Sequence, residues 1–193
     1  FILRPNNFMG KKALFLDRDG VINVNYGYVH KIEDFEFIDG IFDLARAAVA
    51  KNYVICIVTN QAGIGRGYYS EADFHSLTDW MCEQFRMEGA VIGKVYYSPY
   101  HPIYGLGKYK KNHNSRKPQP GMFLQAINEF NIDADCSILI GDKATDIQAG
   151  VAAGVGTNIY LGEADISQHV SIDHYTRISS LAGVKSFLKD EVR

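Results

Sequence analysis

The chain has 193 residues, 47% of them hydrophobic, which is enough for one well-buried domain and short for two. Its formal net charge of −2 argues against a protein that coats nucleic acid. The sequence contains no run of about 20 apolar residues, so we expect no membrane-spanning helix. We therefore expect one domain over residues 1–193, in which residues 1–10 are disordered or a remnant of cloning.

Short apolar runs predict five buried strands along the chain, with segments of helical spacing between them. Strands that alternate with helices are typical of a parallel sheet covered on both faces. The predicted fold class is therefore α/β, a three-layer Rossmann-like fold with a central parallel sheet. The predicted strands are residues 13–16, 53–58, 91–97, 137–140 and 158–161.

The segments between the strands predict helices. An apolar stripe from Ile41 to Val49 precedes the second strand. Ser70 can cap a further helix, whose early acid Asp73 suits the positive end of the helix dipole. Three more helices are predicted, one starting at Pro120 and the others at residues 147–153 and 181–188.

Polar side chains follow the predicted strands, at the edge where parallel sheets bind their ligands. This edge would gather carboxylates, a hydroxyl, an amide and at least one cation. The residues are Asp17 and Asp19 after the first strand, Thr59 and Asn60 after the second, Arg116 and Lys117 well after the third, and Asp142, Lys143 and Asp146 after the fourth.

The acidic residues of this edge suit phosphoryl transfer assisted by a metal ion. Asp17 and Asp19 repel each other if they share one side of an extended backbone, so a cation is their natural partner. Carboxylates, a carbonyl and water are ligands that suit Mg²⁺, and Asp142 would hold it from a neighbouring strand. We expect Asp17 to attack phosphorus covalently, and Asp19 to act as acid and then as base.

The remaining polar residues would stabilise the transferred group. Thr59, Asn60 and Lys117 would donate hydrogen bonds or charge to the phosphoryl oxygens. Asp146 would either contact the water shell of the metal or orient Lys117. Each of these short patterns alone is more often a loop or a helix cap, so the prediction depends on their joint order.

Four segments resemble the four motifs of the haloacid dehalogenase superfamily: residues 15–21, 58–61, 116–122 and 140–147. The resemblance covers residues 13–161, and residues 60–68 and 116–122 resemble the heptose bisphosphate phosphatases and the related histidinol-phosphatases. It implies Asp17 as nucleophile, Asp19 as acid and base, and Mg²⁺ held by Asp17, Asp142 and the Asp19 carbonyl. It also implies that Thr59 and Lys117 grip the phosphate. Many members carry a large cap domain, but we expect none here, because no large insertion follows Asp19 or separates the second predicted strand from its helix.

The resemblance further implies a cytoplasmic phosphatase that removes the 7-phosphate of D-glycero-D-manno-heptose 1,7-bisphosphate. Its product would lead to ADP- or GDP-heptose for bacterial lipopolysaccharide or surface-layer glycans. We expect a small-molecule substrate, no nucleic acid or membrane partner, and a monomer. Asn60, Arg66, Arg116 and Lys143 are the predicted substrate-binding residues, although Arg66 could equally belong to a surface turn.

Residues 99–115 depart from the family pattern. Many relatives bind a structural zinc here, but the matching positions are Ser98, Tyr100, His113 and Ser115, so we expect no zinc because no thiolate remains. Packing, through tyrosines such as Tyr100, Tyr104 and Tyr109, or substrate would then order this loop. Its lysines at 108, 110 and 111 could form a cationic collar for a bisphosphate or a solvated surface.

Several other functions are compatible with parts of this pattern. A histidinol-phosphatase, or another small sugar-phosphate phosphatase, would use the same core. The acidic net charge disfavours a polynucleotide 3′-phosphatase. A signalling receiver domain would carry its phosphorylated aspartate after the third strand, where Tyr97 and Ser98 stand instead. An inactive sugar-phosphate binder is disfavoured because Asp17 and Asp19 are both present.

Overall fold

A computed structural model describes residues 10–190, so the expectation for residues 1–10 lies, apart from Gly10, outside the described residues. Six parallel strands form one sheet in the order β3-β2-β1-β4-β5-β6. The predicted α/β class with a central parallel sheet is thus confirmed. The strands are β1 (Lys12–Leu16), β2 (Tyr53–Asn60), β3 (Ile92–Ser98), β4 (Ile138–Gly141), β5 (Thr157–Leu161) and β6 (Thr176–Ile178).

Helices connect the strands and cover the sheet. They are α1 (Ile41–Ala50), α2 (Ala62–Gly65), α3 (Glu71–Met87), α4 (Gly121–Phe130) and α5 (Ala144–Ala152). Among residues 10–190, no helix combines the length and the apolar character needed to cross a membrane. Short 3-10 turns at Ile32–Asp34 and Gly107–Tyr109 interrupt the loops after β1 and β3.

Each face of the sheet has its own apolar core. Leu14 and Leu16 of β1 belong to the core that includes the inner sides of α1 and α3. Ala13 and Phe15 point the opposite way, into the core that includes α4 and α5. Side chains alternate along a strand, so a strand covered on both faces must be apolar at every position. This is why unbroken apolar runs predicted the strands.

Helix α3 begins as predicted. The Ser70 hydroxyl accepts a hydrogen bond from the Asp73 N–H at 3.1 Å, and the Asp73 carboxylate accepts one from the Ser70 N–H at 2.8 Å. This reciprocal capping box satisfies two backbone donors that a helix start would otherwise leave free. It fixes the start of the longest described helix close to the loop that follows β2.

The structure differs from the sequence predictions at the periphery. Strand β6 was missed because it is a short edge strand whose residues are exposed or half-buried. Residues Leu181–Phe187 form a 3-10 helix instead of an α-helix, and Gly183 in their middle lowers α-helical propensity. Val49, assigned to the apolar stripe that precedes the second strand, is 37% exposed.

Candidate active site

The predicted polar residues meet where β1, β2 and β4 end. Asp17 follows β1, and its N–H donates to the carbonyl of Ile140 in β4 at 3.0 Å. Thr59 lies near the end of β2, and Asp142 directly follows β4. Asp17, Thr59 and Lys117 are all buried, although each carries a polar or charged group. Burying such groups is costly unless they are paired, and buried titratable groups gathered at one place indicate a functional site.

Three carboxylates converge at this edge. Asp17, Asp142 and Asp146 each place one oxygen within 4.8 Å of the others. Burial, and then the charge of Asp17, raises the pKa of Asp142 to about 7. Burial is also the largest cause that raises the pKa of Asp17, while the charge of Lys117 opposes it. A buried carboxylate resists ionisation, and a bound cation reverses that resistance.

The donor set fits a hard cation such as Mg²⁺. Oδ1 of Asp142 is buried and accepts no hydrogen bond from any residue between 10 and 190. Lys143 Nζ lies 3.4 Å from this oxygen but is not aligned to donate to it. Gly20, whose φ is +98°, lies against the Asp142 carboxylate. Any larger residue would place its Cβ on that carboxylate, so glycine is needed for Asp142 to occupy this position. An unpartnered oxygen beside a second carboxylate matches the ligands Mg²⁺ prefers.

Asp146 is the third side chain of the cluster, beside Asp17 and Asp142. The sequence prediction combined Asp17, Asp142 and the Asp19 carbonyl. Oδ1 of Asp146 is 2.7 Å from Lys117 Nζ, and its Oδ2 accepts a hydrogen bond from the Lys143 N–H at 2.9 Å. Both Asp146 oxygens are therefore engaged, which leaves Asp17 and Asp142 as the side chains that could hold a metal. Of the two roles considered for Asp146, the contact with Lys117 is the one observed.

We expect the affinity for Mg²⁺ to weaken as the pH falls through about 7, because Asp142 must lose its proton before it can bind the ion. Below that pH the proton competes with the metal, and above it the carboxylate is already ionised. Isothermal titration calorimetry in two buffers of different ionisation enthalpy would measure both affinity and proton release. Asp142→Asn is the control, since it should lose binding and proton release together. An affinity that does not change with pH would contradict this assignment.

Lys117 is the buried cation of the site. Its Nζ lies 3.0 Å from Asp17 Oδ1 and 2.7 Å from Asp146 Oδ1, and it donates to the Val58 carbonyl at 2.7 Å. Burial alone would lower the pKa of Lys117, but the charges of Asp146 and Asp17 raise it, so the ammonium stays protonated. These three oxygens account for the three N–H groups of the ammonium. Lys117 therefore offers its positive charge beside Asp17 but has no N–H group left to donate.

Asp19 is held away from this cluster by three hydrogen bonds. Its Oδ1 accepts from Arg18 Nη2 at 2.8 Å and from Asn23 Nδ2 at 3.1 Å. Its Oδ2 accepts from Gln61 Nε2 at 3.0 Å. The sequence analysis missed these three donors. All three stand next to or near predicted motif residues, but nothing in the spacing signals that their side chains are buried and turn toward Asp19.

Two predicted substrate contacts have other partners in the structure. Asn60 Nδ2 donates to the Lys117 carbonyl, and its Oδ1 accepts from the Lys117 N–H, both at 3.0 Å. This amide therefore ties the end of β2 to the segment that carries Lys117, and its role as a substrate ligand stays a prediction. The Lys143 side chain is half exposed and lies near Asp142, so it borders the carboxylate cluster.

Two arginines lie on the loops beside this edge. Arg116 is half-buried, and its Nη1 donates to the Tyr100 carbonyl at 3.0 Å. The guanidinium of Arg66 lies 4.6–5.7 Å from the centroids of three tyrosine rings, which attract a cation through their faces. It also donates a hydrogen bond to one of their hydroxyls. The rings belong to Tyr28, Tyr68 and Tyr104.

Hydrogen bonds and ring packing order residues 99–115. Ser115 Oγ donates to Ser98 Oγ at 2.9 Å and lies 2.8 Å from Nδ1 of His113. The Tyr100 ring stacks on His113 with centroids 4.0 Å apart. The four positions that the sequence analysis matched to zinc ligands thus bond or stack on one another. Further contacts are Tyr109 with Glu71 at 2.6 Å, Lys108 over the Tyr109 ring and Lys111 over the Tyr100 ring.

Known proteins resemble this chain in sequence and in fold. A family model described as HAD-hydrolase-like matches residues 114–171. The chain is 56% identical over 160 residues to the D-glycero-alpha-D-manno-heptose-1,7-bisphosphate 7-phosphatase of Burkholderia mallei, covering 83% of this chain and 85% of that protein. It is 44% identical over 183 residues to the enzyme of the same name from Campylobacter jejuni, covering 95% and 99%.

A solved structure shares the fold. The D,D-heptose 1.7-bisphosphate phosphatase from B. bronchiseptica, complexed with magnesium and phosphate, superposes with a TM-score of 0.77. The alignment covers 91% of this chain and 96% of that one, at 22% identity. At 22% identity this similarity is evidence for the fold alone. The two curated relatives, at 56% and 44% identity, are more similar to this chain in sequence.

Proposed function

Because this chain belongs to the D-glycero-D-manno-heptose-1,7-bisphosphate 7-phosphatase family of the haloacid dehalogenase superfamily, we propose that it removes the 7-phosphate from that heptose bisphosphate with the help of Mg²⁺. The chain is a phosphoric monoester hydrolase. The proposed substrate is supported above all by the 56% identity of this chain to a curated relative, of which the match covers 85%. The product would enter ADP- or GDP-heptose synthesis, on the way to lipopolysaccharide or surface-layer glycans.

The first half of the reaction would transfer the phosphoryl group to Asp17. A carboxylate oxygen of Asp17 forms a bond to phosphorus while the bond from phosphorus to the sugar oxygen breaks. Asp19 gives its proton to that sugar oxygen, so the sugar leaves as a neutral alcohol. The charge of Lys117, 3.0 Å from Asp17, favours the ionised nucleophile against the effect of burial, and the Thr59 hydroxyl would donate to a phosphoryl oxygen.

The second half would return Asp17 to its starting form. A water molecule attacks phosphorus, and Asp19 accepts a proton from this water. The bond from phosphorus to Asp17 then breaks, and inorganic phosphate leaves. Bound Mg²⁺ would supply positive charge between the phosphate and the carboxylates. Asp17 and Asp142 would hold it, together with the Asp19 carbonyl that the family resemblance implies.

The rest of the substrate would contact the arginines beside the site. Arg66 lies over the Tyr104 ring, which packs against His101, and Arg116 donates to the carbonyl of Tyr100, so both guanidinium groups lie beside the same segment. A planar guanidinium suits a phosphate because it donates two parallel hydrogen bonds. We therefore assign Arg66 and Arg116 to the sugar and its second phosphate, with Lys143 beside the transferred group.

A substrate panel would test this function. With Mg²⁺ present, we expect kcat/KM for the heptose 1,7-bisphosphate to exceed that for histidinol phosphate by at least about tenfold, because only the bisphosphate offers a second anion to the arginines. Phosphorus NMR should show the 1-phosphate retained in the product. Testing both anomers would reveal which one the pocket prefers. A higher kcat/KM for histidinol phosphate would identify a histidinol-phosphatase instead.

We also propose that the enzyme acts as a monomer in the cytoplasm. In support of a monomer, the site residues described above come from a single chain and contact one another within it. The compartment is the one that the family resemblance implies. Light scattering coupled to size-exclusion chromatography would measure the mass of the enzyme in solution.

A further inference from the structure

The side chain of Gln61 joins two predicted catalytic residues. It is buried at the start of α2, next to the end of β2. Its Nε2 donates one hydrogen bond to Oδ2 of Asp19 at 3.0 Å and another to the Thr59 hydroxyl oxygen at 2.8 Å. Both N–H groups of the amide are thus used, and the amide cannot rotate without losing both bonds.

Tyr69 fixes the other end of this amide. Its hydroxyl donates to Oε1 of Gln61 at 2.5 Å, and burial raises the pKa of Tyr69, which keeps the hydroxyl protonated. The ring packs with Ile64 and Phe74, and His30 stacks on it with centroids 4.9 Å apart. Because a hydroxyl at this position donates, Gln61 must present its oxygen to Tyr69 and its nitrogen to Asp19.

Gly63 makes this contact possible. A side chain at position 63 would overlap the Tyr69 ring, so only glycine lets the ring lie over α2 and reach Gln61. The Gly63 backbone is buried beneath it. The short helix, the glycine and the tyrosine therefore form one unit that holds the amide in place.

Counting acceptor positions shows what the amide does to Asp19. A carboxylate oxygen has two lone pairs in its plane. Arg18 and Asn23 occupy both on Oδ1, whereas Gln61 occupies one on Oδ2. The free position on Oδ2 is therefore where Asp19 can carry a proton. We propose that Gln61, anchored by Tyr69, is a positioning residue that aims this oxygen of Asp19 at the leaving group.

This inference rests on the proposed function, in which Asp19 protonates the sugar oxygen as it leaves. An alkoxide needs that proton, while 4-nitrophenolate is stable enough to leave without it. A poorly aimed Asp19 should therefore slow hydrolysis of a sugar phosphate far more than hydrolysis of 4-nitrophenyl phosphate. General loss of structure would slow both alike.

Tyr69→Phe removes one oxygen atom and leaves the ring in place. We expect kcat/KM for the heptose bisphosphate to fall about tenfold, a fraction of the roughly 10²–10⁴-fold that general acid–base catalysis contributes, while kcat/KM for 4-nitrophenyl phosphate changes less than about threefold. Gln61→Met should widen the difference between the two substrates, because it removes the amide itself. KM for each substrate should change little, since neither residue is assigned to substrate binding.

Tyr96→Phe is the matched control. Tyr96 is equally buried, and its hydroxyl donates to Glu129 at 2.7 Å, away from Asp19. It should leave the ratio of the two kcat/KM values at the wild-type level. Equal losses on both substrates in Tyr69→Phe and Gln61→Met, or no loss on the sugar phosphate, would overturn the inference. Gln61→Met decides the matter if thermal unfolding shows that Tyr69→Phe is unstable.

Wild-type rates separate this inference from the proposed function. A wild type that hydrolyses 4-nitrophenyl phosphate and some other alkyl phosphate, but not the heptose bisphosphate, would refute the substrate alone. The role of Gln61 would then be tested by the ratio of kcat/KM for that alkyl phosphate to kcat/KM for 4-nitrophenyl phosphate. A wild type without any phosphatase activity would refute both.

Discussion

Asp17→Asn should abolish turnover while the protein stays folded. The amide has the shape of the carboxylate but lacks the nucleophilic oxygen, so kcat should fall by roughly 10⁵–10⁶-fold, the scale seen when a covalent nucleophile is removed. The fold should tolerate the change because the remaining carbonyl oxygen can still accept from the Arg18 N–H and face Lys117. Removing one of three clustered carboxylates also lessens their mutual repulsion.

Phosphate release and mass spectrometry of the intact protein would measure this effect. The wild type, quenched in acid during turnover, should carry one phosphoryl group, and Asp17→Asn should carry none. Circular dichroism should show the same folded signal for both proteins. Asp135→Asn, an exposed acid before β4, is the matched control and should keep full activity. A folded Asp17→Asn that still turns over would refute the assigned nucleophile.

Lys117→Met should damage both catalysis and stability. The substitution leaves Asp17 and Asp146 buried and facing each other without the cation that separates them. Breaking a buried ion pair by removing one partner costs about 3–5 kcal/mol of unfolding free energy. Activity should fall roughly 10²–10³-fold, as when a preorganised electrostatic group is removed from a reacting centre.

Denaturant unfolding and steady-state kinetics would measure the two effects. Lys94→Met is the matched control, because Lys94 pairs with Glu129 at 2.7 Å on the surface, where both side chains are partly exposed. Such a surface pair contributes less than about 1 kcal/mol, so the control should unfold almost like the wild type. If the two variants were equally stable, the buried contacts of Lys117 would not support the fold as described.

The sheet and the position of the site were predictable from the sequence for physical reasons. Strands β1, β2, β4 and β5 are largely buried, so each reads as an apolar run, and the ends of β1 to β5 were all placed within two residues. Parallel strands deliver their following residues to one edge, which predicted where Asp17, Thr59 and Asp142 would meet. Strand β6 escaped because an exposed edge strand needs no such run.

The contacts inside the site could not be predicted in the same way. The amide of Asn60 bonds the backbone of a residue 57 positions away, and no local pattern signals that pairing. Gln61 and Tyr69 look like ordinary loop residues until the glycine between them lets the ring cross the helix. Side-chain partners of this kind depend on the tertiary fold, and the sequence restricts only the types of residue that could supply them.

The place of β1 in the sheet has a consequence for how this enzyme can be re-engineered. The strand that leads to Asp17 is hydrogen-bonded on both sides, to β2 and to β4. The loops that carry Arg66 and Arg116 are attached farther out, after β2 and β3. Directed evolution can therefore exchange residues 66–68 and 99–116 to recruit new phosphate esters, while Gly63 and the bond-breaking centre keep their geometry.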